Sequence, residues 1–307
     1  NRTIAITGAD MSPKVDGTPV PLWESIEVKK DQTLEMSFAT IGARSYIAFS
    51  GGINTNPWLG SRSTFHKAGV GGIEGKAIQD GQKIPLNKSK VVGKNKINKT
   101  SIPIMSTNKK WSVEVVKGPN DDWVDEKGHK MFLSSNWKLQ SKSDRTGYRL
   151  EGPKWSFTEK ATNKGLEHGT FPSNIIDQGY PMGAINLAGQ TPIILVNDGP
   201  SMGGFIVPYT VPSASFWKLG QAKPGDIFNF KEISVEKAQE LRAEQSAICS
   251  EASLLFSKKE NILTDKPNIK IDNIKIVDFD KEKMNEKIRS KIMEKRGMKN
   301  IKVKFFD

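Results

Sequence analysis

The sequence predicts an all-β protein with two lobes, followed by a helical tail. The first observation is that glycine (27 residues) and proline (16 residues) recur between short apolar segments up to about residue 230. Many segments alternate apolar and polar residues, as residues 34–38 do, and turn sequences such as Asp80-Gly81 and Asp198-Gly199 separate them. The second is that no helical pattern of useful length precedes residue 234. Many short strands with frequent turns are typical of barrels and sandwiches.

The expected strands fall into two groups on either side of a basic stretch. This stretch, residues 87–110, has seven lysines and neither an acidic nor an aromatic residue. It divides a first β lobe at residues 1–95 from a second at residues 96–234, as a solvated loop or as a contact surface for an acidic partner. Without aromatic side chains it has no platform for stacking bases, so we expect no nucleic acid partner. The expected strands are residues 3–7, 25–28, 33–39, 44–49, 111–116, 148–152, 192–196, 205–211 and 226–230.

The tail, residues 235–307, is charged and poor in glycine. Ser234 can cap a helix over residues 235–257, and a second helix is expected over residues 281–296. Residues 236–307 contain 17 basic and 13 acidic residues, so the tail can bury little apolar surface by itself. Its narrow apolar stripes need a surface to cover, either this chain's own barrel or a neighbouring subunit. We therefore expect a connector that adds little to the functional site.

Composition excludes several classes of protein. The chain has 307 residues and a net charge of +12, and no apolar run approaches the ~18 residues of a membrane-spanning helix. Cys249 is the only cysteine, which rules out a disulfide framework, a zinc finger or a thiol redox pair within one chain. It favours a reducing, cytoplasmic location. The three histidines do not predict a metal site.

Two glycine turns carry residues suited to binding an anion. In residues 143–153, Arg145 and Arg149 flank a glycine, and their planar guanidinium groups suit a carboxylate or a developing oxyanion. Each could instead pair with a neighbouring acid, Asp144 or Glu151. Residues 197–205 follow an apolar strand and can expose backbone N–H groups to an anion or a carbonyl oxygen, or form an ordinary turn.

A third segment, residues 171–186, mixes short polar groups with glycine, proline and aromatic residues. Ser173, Asn174, Asp177 and Asn186 suit a loop that lines a pocket for a hydrogen-bonding substrate, and turns stabilised by Asn or Asp side chains are the competing explanation.

In series, these segments resemble the allophanate hydrolase subunit 2 type of carboxyltransferase domain, which occurs in biotin-dependent urea carboxylase and as the C component of 5-oxoprolinase. The resemblance covers roughly residues 3–235, and residues 172–177 and 199–205 are closer to the urea carboxylase branch. The family pattern begins before residue 1, so the resemblance implies that the N-terminal part of the first lobe is missing. The motifs, in family order, are residues 6–11, 50–53, 59–63, 143–153, 198–205 and 219–226.

The resemblance implies two cyclophilin-like β-barrel lobes and transfer of a carboxyl group from carboxybiotin to urea or a similar amide or guanidine nitrogen. Biotin would be held on a separate carrier and not on this chain, and no metal is implied. The expected partners are the companion carboxyltransferase half (allophanate hydrolase subunit 1 type), a biotin carrier, biotin carboxylase and a small amide substrate, without a membrane. The expected catalytic residues are Arg145, Arg149, Asp198 and Ser201, and the expected substrate-binding residues are Tyr148, Asn174, Asp177, Gly203 and Gly204.

Two alternative functions stay open. The chain could be a component of an ATP-dependent 5-oxoprolinase, in which biotin has no part. It could also be a non-catalytic regulatory protein that uses its cleft to bind a partner subunit.

Overall fold

The structure, a computed structural model, describes residues 1–89, 93, 95–97, 99–250, 273–277 and 301–306. Two units are present. The first contains residues 1–103 together with the two strands near the C-terminus, and the second begins at Ile104. The division falls within the basic stretch. No helix in the described ranges is long and apolar enough to cross a membrane.

The first unit is built on a long N-terminal strand, β1 (Arg2–Asp10), which pairs antiparallel with β4 (Ser25–Val28) and β6 (Ile41–Phe49) in a three-stranded sheet. Ile4 and Ile6 of β1 are fully buried, because alternate residues of the strand face the core. The other strands of this part of the chain are β2 (Lys14–Val15), β3 (Thr18–Pro19), β5 (Thr33–Met36) and β7 (Lys83–Pro85).

The second unit contains a closed seven-stranded barrel, in the order β10-β13-β12-β15-β8-β16-β9. Neighbouring strands are antiparallel except β8 and β16, which run parallel. The remaining strands, β11 and β14, form a separate two-stranded ribbon. The strands are β8 (Lys110–Lys117), β9 (Trp137–Leu139), β10 (Gly147–Glu151), β11 (Asn174–Gly179), β12 (Ala184–Ala188), β13 (Thr191–Leu195), β14 (Met202–Phe205), β15 (Tyr209–Thr210) and β16 (Ile227–Glu232).

The β-rich fold is therefore confirmed, whereas the expectation of a loop over residues 171–186 is wrong. That segment contains β11 and most of β12, so only residues 171–173 and the connection at residues 180–183 lie outside a strand. The cyclophilin-like character of both lobes stays a prediction.

A helix in the second unit corrects the expectation that none precedes residue 234. Helix α1 (Glu126–Ser134) begins after Asp125, whose side chain accepts a hydrogen bond from the Gly128 N–H at 2.7 Å. Its Phe132 is fully buried and stacks on Tyr209 and Phe230, with ring centroids 4.6 Å apart in both pairs. The helix has 9 residues, too few for a clear helical repeat in the sequence.

Three further α-helices follow within the part of the chain that the structure describes, α2 (Glu159–Thr162), α3 (Phe216–Gln221) and α4 (Val235–Ser250). The predicted cap of α4 is confirmed, because the Ser234 hydroxyl accepts a hydrogen bond from the Lys237 N–H at 3.1 Å. Residues 251–257 of the predicted helix, and the helix predicted over residues 281–296, lie outside the described residues.

The expectation of a purely helical tail is wrong, because the tail contains strands β17 (Asn273–Val277) and β18 (Ile301–Phe306). They complete a six-stranded sheet of the first unit, in the order β3-β2-β5-β18-β17-β7. Val303 and Phe305 of β18 are buried in the core of that unit. Lysines alternate with apolar residues along β18, which is the pattern of a half-buried strand.

Candidate functional site

A cleft of about 690 Å³ lies in the second unit. One wall comes from the outer face of barrel strands β10, β12 and β13, and the other comes from β14 of the ribbon. The loop before β10 closes one end, where Lys142, Ser143 and Thr146 contribute. The cleft is therefore formed where the ribbon lies against the outside of the barrel.

Three residues on adjacent strands form a row along the barrel wall of this cleft. Arg149 of β10 pairs in register with Ile193 of β13, and Ile193 pairs in register with Asn186 of β12. The sequence neighbours of Asn186 and Arg149 pack in the barrel core, so alternation along the strands turns these two side chains outward. All three residues line the cleft.

Tyr180 connects the barrel wall to the ribbon. Its hydroxyl accepts a hydrogen bond from the Phe205 N–H at 2.6 Å and donates one to the Phe205 carbonyl at 3.0 Å. The Asn186 side chain lies next to this hydroxyl, and both residues line the cleft. Burial raises the pKa of Tyr180, so the hydroxyl keeps its proton at neutral pH.

Asn186 is the most deeply buried polar residue of the cleft wall, with 4% of its surface exposed. Its carbonyl oxygen, Oδ1, accepts no hydrogen bond from any residue that the structure describes. A buried polar atom without a partner is uncommon in folded proteins and calls for an explanation.

Glycine lets the ribbon approach this wall closely. A Cβ at Gly203 would lie 2.8 Å from the Tyr180 ring, so any side chain there would move the ribbon or the ring. A Cβ at Gly204 would lie 3.0 Å from the Ile175 carbonyl oxygen of the opposite ribbon strand. Gly203 and Gly204 both line the cleft, as expected for the glycine turn.

Arg145 and Asp198 form an ion pair that ties the loop before β10 to the turn after β13. The guanidinium donates from Nε to Oδ2 at 2.9 Å and from Nη2 to Oδ1 at 3.1 Å, and the Asp198 N–H donates to the Arg145 carbonyl at 2.8 Å. Hydrogen bonding by Asp198 raises the pKa of Arg145. Neither side chain lines the cleft. The geometry supports a structural role for this pair. The ion-pair partner of Arg145 is Asp198, which is neither of the two neighbouring acids, Asp144 and Glu151, that the sequence offers.

The other predicted site residues do not line the cleft, although Asp177 lies beside it, since a Cβ at Gly204 would be 3.3 Å from the Asp177 Oδ1. Tyr148 is buried in the barrel core, because its strand neighbour Arg149 takes the outward position. Asn174 and Asp177 belong to the ribbon strand β11, and Ser201 is exposed in the turn before β14; none of the three lines the cleft. The structure thus brings together Arg149, Gly203 and Gly204 from the predicted set.

The expected catalytic and substrate-binding residues do not include Tyr180, Asn186 and Lys142, which do line the cleft. Two signals pointed to Asn186. It belongs to the polar groups of residues 171–186, and it is the one polar residue in the apolar segment Ala-Ile-Asn-Leu-Ala at residues 184–188. No cluster of three or more His, Cys, Asp or Glu side chains suited to a metal occurs in the described ranges.

Comparison with known proteins identifies the family. Residues 1–232 match the family described as carboxyltransferase domain, subdomain A and B. The chain belongs to this carboxyltransferase family. The match covers the whole second-unit cleft and ends at the last barrel strand, β16.

Relatives of this carboxyltransferase domain fall into two groups. Urea amidolyase of Saccharomyces cerevisiae is 39% identical over 249 residues, which cover 79% of this chain and 13% of that protein. The C component of 5-oxoprolinase from Escherichia coli is 30% identical over 242 residues, which cover 78% of this chain and 73% of that protein. Both branches expected from the sequence are therefore present among its relatives.

A solved structure agrees with this assignment. The crystal structure of the Kluyveromyces lactis urea carboxylase matches the carboxyltransferase domain with a TM-score of 0.74 and 29% identity. The match covers 100% of this chain and 31% of that one. The chain thus spans about a third of that urea carboxylase and 13% of the yeast urea amidolyase.

Proposed function

We propose that this chain is the carboxyltransferase component of a biotin-dependent carboxylase that carboxylates a nitrogen of urea or a similar amide. The observation that carries the proposal is the outward Arg149 guanidinium, placed in a cleft that the glycine pair of β14 closes from the other side. Relatives named urea amidolyase and urea carboxylase support urea as the acceptor.

The cleft has the donors and acceptors that a ureido group requires. Carboxybiotin, when bound, would supply the carboxyl group to be transferred. Arg149 can donate charge-assisted N–H bonds to an oxygen that gains negative charge as the carboxyl group leaves. The buried Asn186 carbonyl can accept from an N–H. The residues therefore fit a ureido ring or urea.

Two further residues have defined tasks in this scheme. Lys142, on the loop that closes one end, adds positive charge that attracts a carboxylate toward the cleft. Phe205, whose backbone hydrogen-bonds to Tyr180, holds the ribbon against the barrel. Companion domains would deliver the carrier and the substrate, in keeping with the larger proteins that the chain matches in part.

The second candidate, the C component of a 5-oxoprolinase, has its own support. The Escherichia coli C component is matched over 73% of its length, whereas the urea amidolyase is a much longer protein. In this alternative Arg149 would bind the carboxylate of 5-oxoproline, and activity would require ATP and no biotin.

One experiment separates the two candidates. The chain is combined with its companion half, a biotin carrier and biotin carboxylase, and urea-dependent fixation of labelled bicarbonate is measured. Fixation that avidin blocks supports carboxyl transfer. Avidin-insensitive, ATP-dependent cleavage of 5-oxoproline supports the alternative.

Arg149 variants then test the site. Arg149→Ala should lower carboxyl transfer by roughly 10²-fold or more, because it removes a donor to a developing negative charge. Arg149→Lys keeps the charge and loses the planar fork, so it should recover only part of the activity. Arg242→Ala, an exposed arginine of α4, is the matched control and should leave the rate unchanged. Full activity in Arg149→Ala would refute the proposed site.

A further inference from the structure

We infer that Asn186 is the specificity-determining residue of the cleft and binds an N–H group of a neutral, urea-like substrate through Oδ1. The inference rests on the proposed function for the identity of the substrate, and on the structure for the binding group. The family match assigns no role to Asn186, and the sequence alone indicates only a position in the lining of a pocket.

The neighbouring Tyr180 hydroxyl does not satisfy the Asn186 carbonyl. The Tyr180 proton is already donated to the Phe205 carbonyl at 3.0 Å. Tyr180 therefore cannot also donate to Asn186.

This arrangement leaves Oδ1 as a prepared acceptor. The atom is buried and lacks a partner among the described residues, while its residue lines the cleft. A buried acceptor of this kind destabilises the empty protein, and a ligand N–H that pairs with it removes the penalty. Such a site favours ligands that carry the N–H and rejects close analogues that lack it.

The surroundings define the chemical class of the ligand. An acceptor oxygen repels anions, so the carboxylate end of a reaction complex belongs at Arg149 and the neutral nitrogen end at Asn186. The two residues lie two strands apart across Ile193, with Cα atoms about 10 Å from each other by strand spacing. The gap over the apolar Ile193 side chain suits a small, flat molecule such as urea.

The experiment is a titration of the isotope-labelled full chain with urea at non-denaturing concentrations, followed through the side-chain amide resonances of Asn186. Saturable shifts are expected with urea. Tetramethylurea, which has the same carbonyl and no N–H, should neither shift these resonances nor compete. Absence of saturation by urea, or equal competition by tetramethylurea, would overturn the inference without any variant.

Variants add a second readout. Asn186→Leu should raise the Kd for urea at least tenfold and keep a well-dispersed spectrum, whereas Asn163→Leu, at an exposed position outside the cleft, should bind as the wild type does. Unchanged urea affinity in a folded Asn186→Leu protein would overturn the inference.

The outcomes also separate this inference from the proposed function. Urea-dependent carboxyl transfer with an unchanged KM in Asn186→Leu would leave the proposed function standing and refute the role of Asn186. Saturable, Asn186-dependent binding of urea by a protein whose reconstituted assembly transfers no carboxyl group would support the role of Asn186 and refute the proposed function.

Discussion

Asn186 and Arg149 share one face of the barrel, and each is paired in register with Ile193 between them. The pairing fixes their separation, because both sit on strands of a closed barrel whose inward neighbours are packed in the core. A neutral acceptor and a cation are thereby held at opposite ends of one short apolar floor. Under the proposed function, this spacing holds a neutral nitrogen nucleophile at a fixed distance from an anionic group.

Gly203→Ala should loosen the contact between ribbon and barrel. The new Cβ would lie 2.8 Å from the Tyr180 ring, so we expect a loss of about 1–3 kcal/mol in stability and lower carboxyl transfer. Gly179→Ala is the matched control on the same ribbon, because no atom lies within 4 Å of its Cβ position. Thermal unfolding and activity are compared for both variants. Equal effects from the two substitutions would contradict the proposed close approach.

The pair of Arg145 and Asp198 should act on structure and little on chemistry. A double-mutant cycle with Arg145→Ala and Asp198→Asn should give a coupling of about 0.2–1 kcal/mol that shrinks with added salt, since the Arg145 side chain is 64% exposed. Arg145→Ala should retain far more activity than Arg149→Ala. If Arg145→Ala instead removes activity at unchanged stability, then Arg145 touches the substrate and its structural assignment is wrong.

The alternation of buried and exposed side chains along a single strand determines how much of the site can be predicted from the sequence. In β10 the buried Tyr148 and Leu150 enclose an outward Arg149, so the sequence pattern itself selects Arg149 over Tyr148 as the accessible group. Polar residues in turns have no such alternation to indicate which side chain is accessible. Ser201 and Asp177 have suitable chemistry, but whether their side chains line the cleft depends on ribbon pairing that no local pattern encodes.

Segments with mixed signals escape prediction from local sequence for physical reasons. The segment that holds β12 follows a Gly-Tyr-Pro-Met-Gly sequence typical of turns, and its buried residues on both faces remove the alternation that marks a strand. The lysines of β18 raised the charge of the tail and hid its strand pattern. The pairing of β18 with β5 joins residues from opposite ends of the chain, which local patterns cannot indicate.

The second unit should lose stability in acid through Glu114. Burial raises the pKa of Glu114, but hydrogen bonds from Lys218 and Ser215 outweigh this effect and hold the pKa below the ordinary value of 4.5. A carboxylate with a lowered pKa stabilises the folded state above its unfolded pKa, and this contribution is lost as the pH falls through the folded-state pKa. Unfolding free energy should therefore decline below about pH 4.5.

Glu114→Gln isolates this contribution. The variant should be less stable at neutral pH, because the Lys218 Nζ lies 2.6 Å from the Glu114 Oε2 and both side chains are mostly buried. It should also show a shallower decline in acid. Denaturant unfolding at a series of pH values measures both effects, and a parallel decline in wild type and variant would assign the acid sensitivity to other groups.

Phe305 near the C-terminus should contribute as much to the first unit as a central core residue does. Its side chain is 4% exposed, its ring lies 6.3 Å from that of Phe49, and its backbone carbonyl accepts from the Asp31 N–H at 2.8 Å. Phe305→Ala should therefore cost about 3–5 kcal/mol, whereas Lys304→Ala on the opposite face of β18 should cost much less. Calorimetry should show the loss, and amide exchange should accelerate in β5 and leave barrel strands such as β13 protected. Near-native melting after removal of residues 301–307 would show instead that β18 is an appendage, as the tail's charge first suggested.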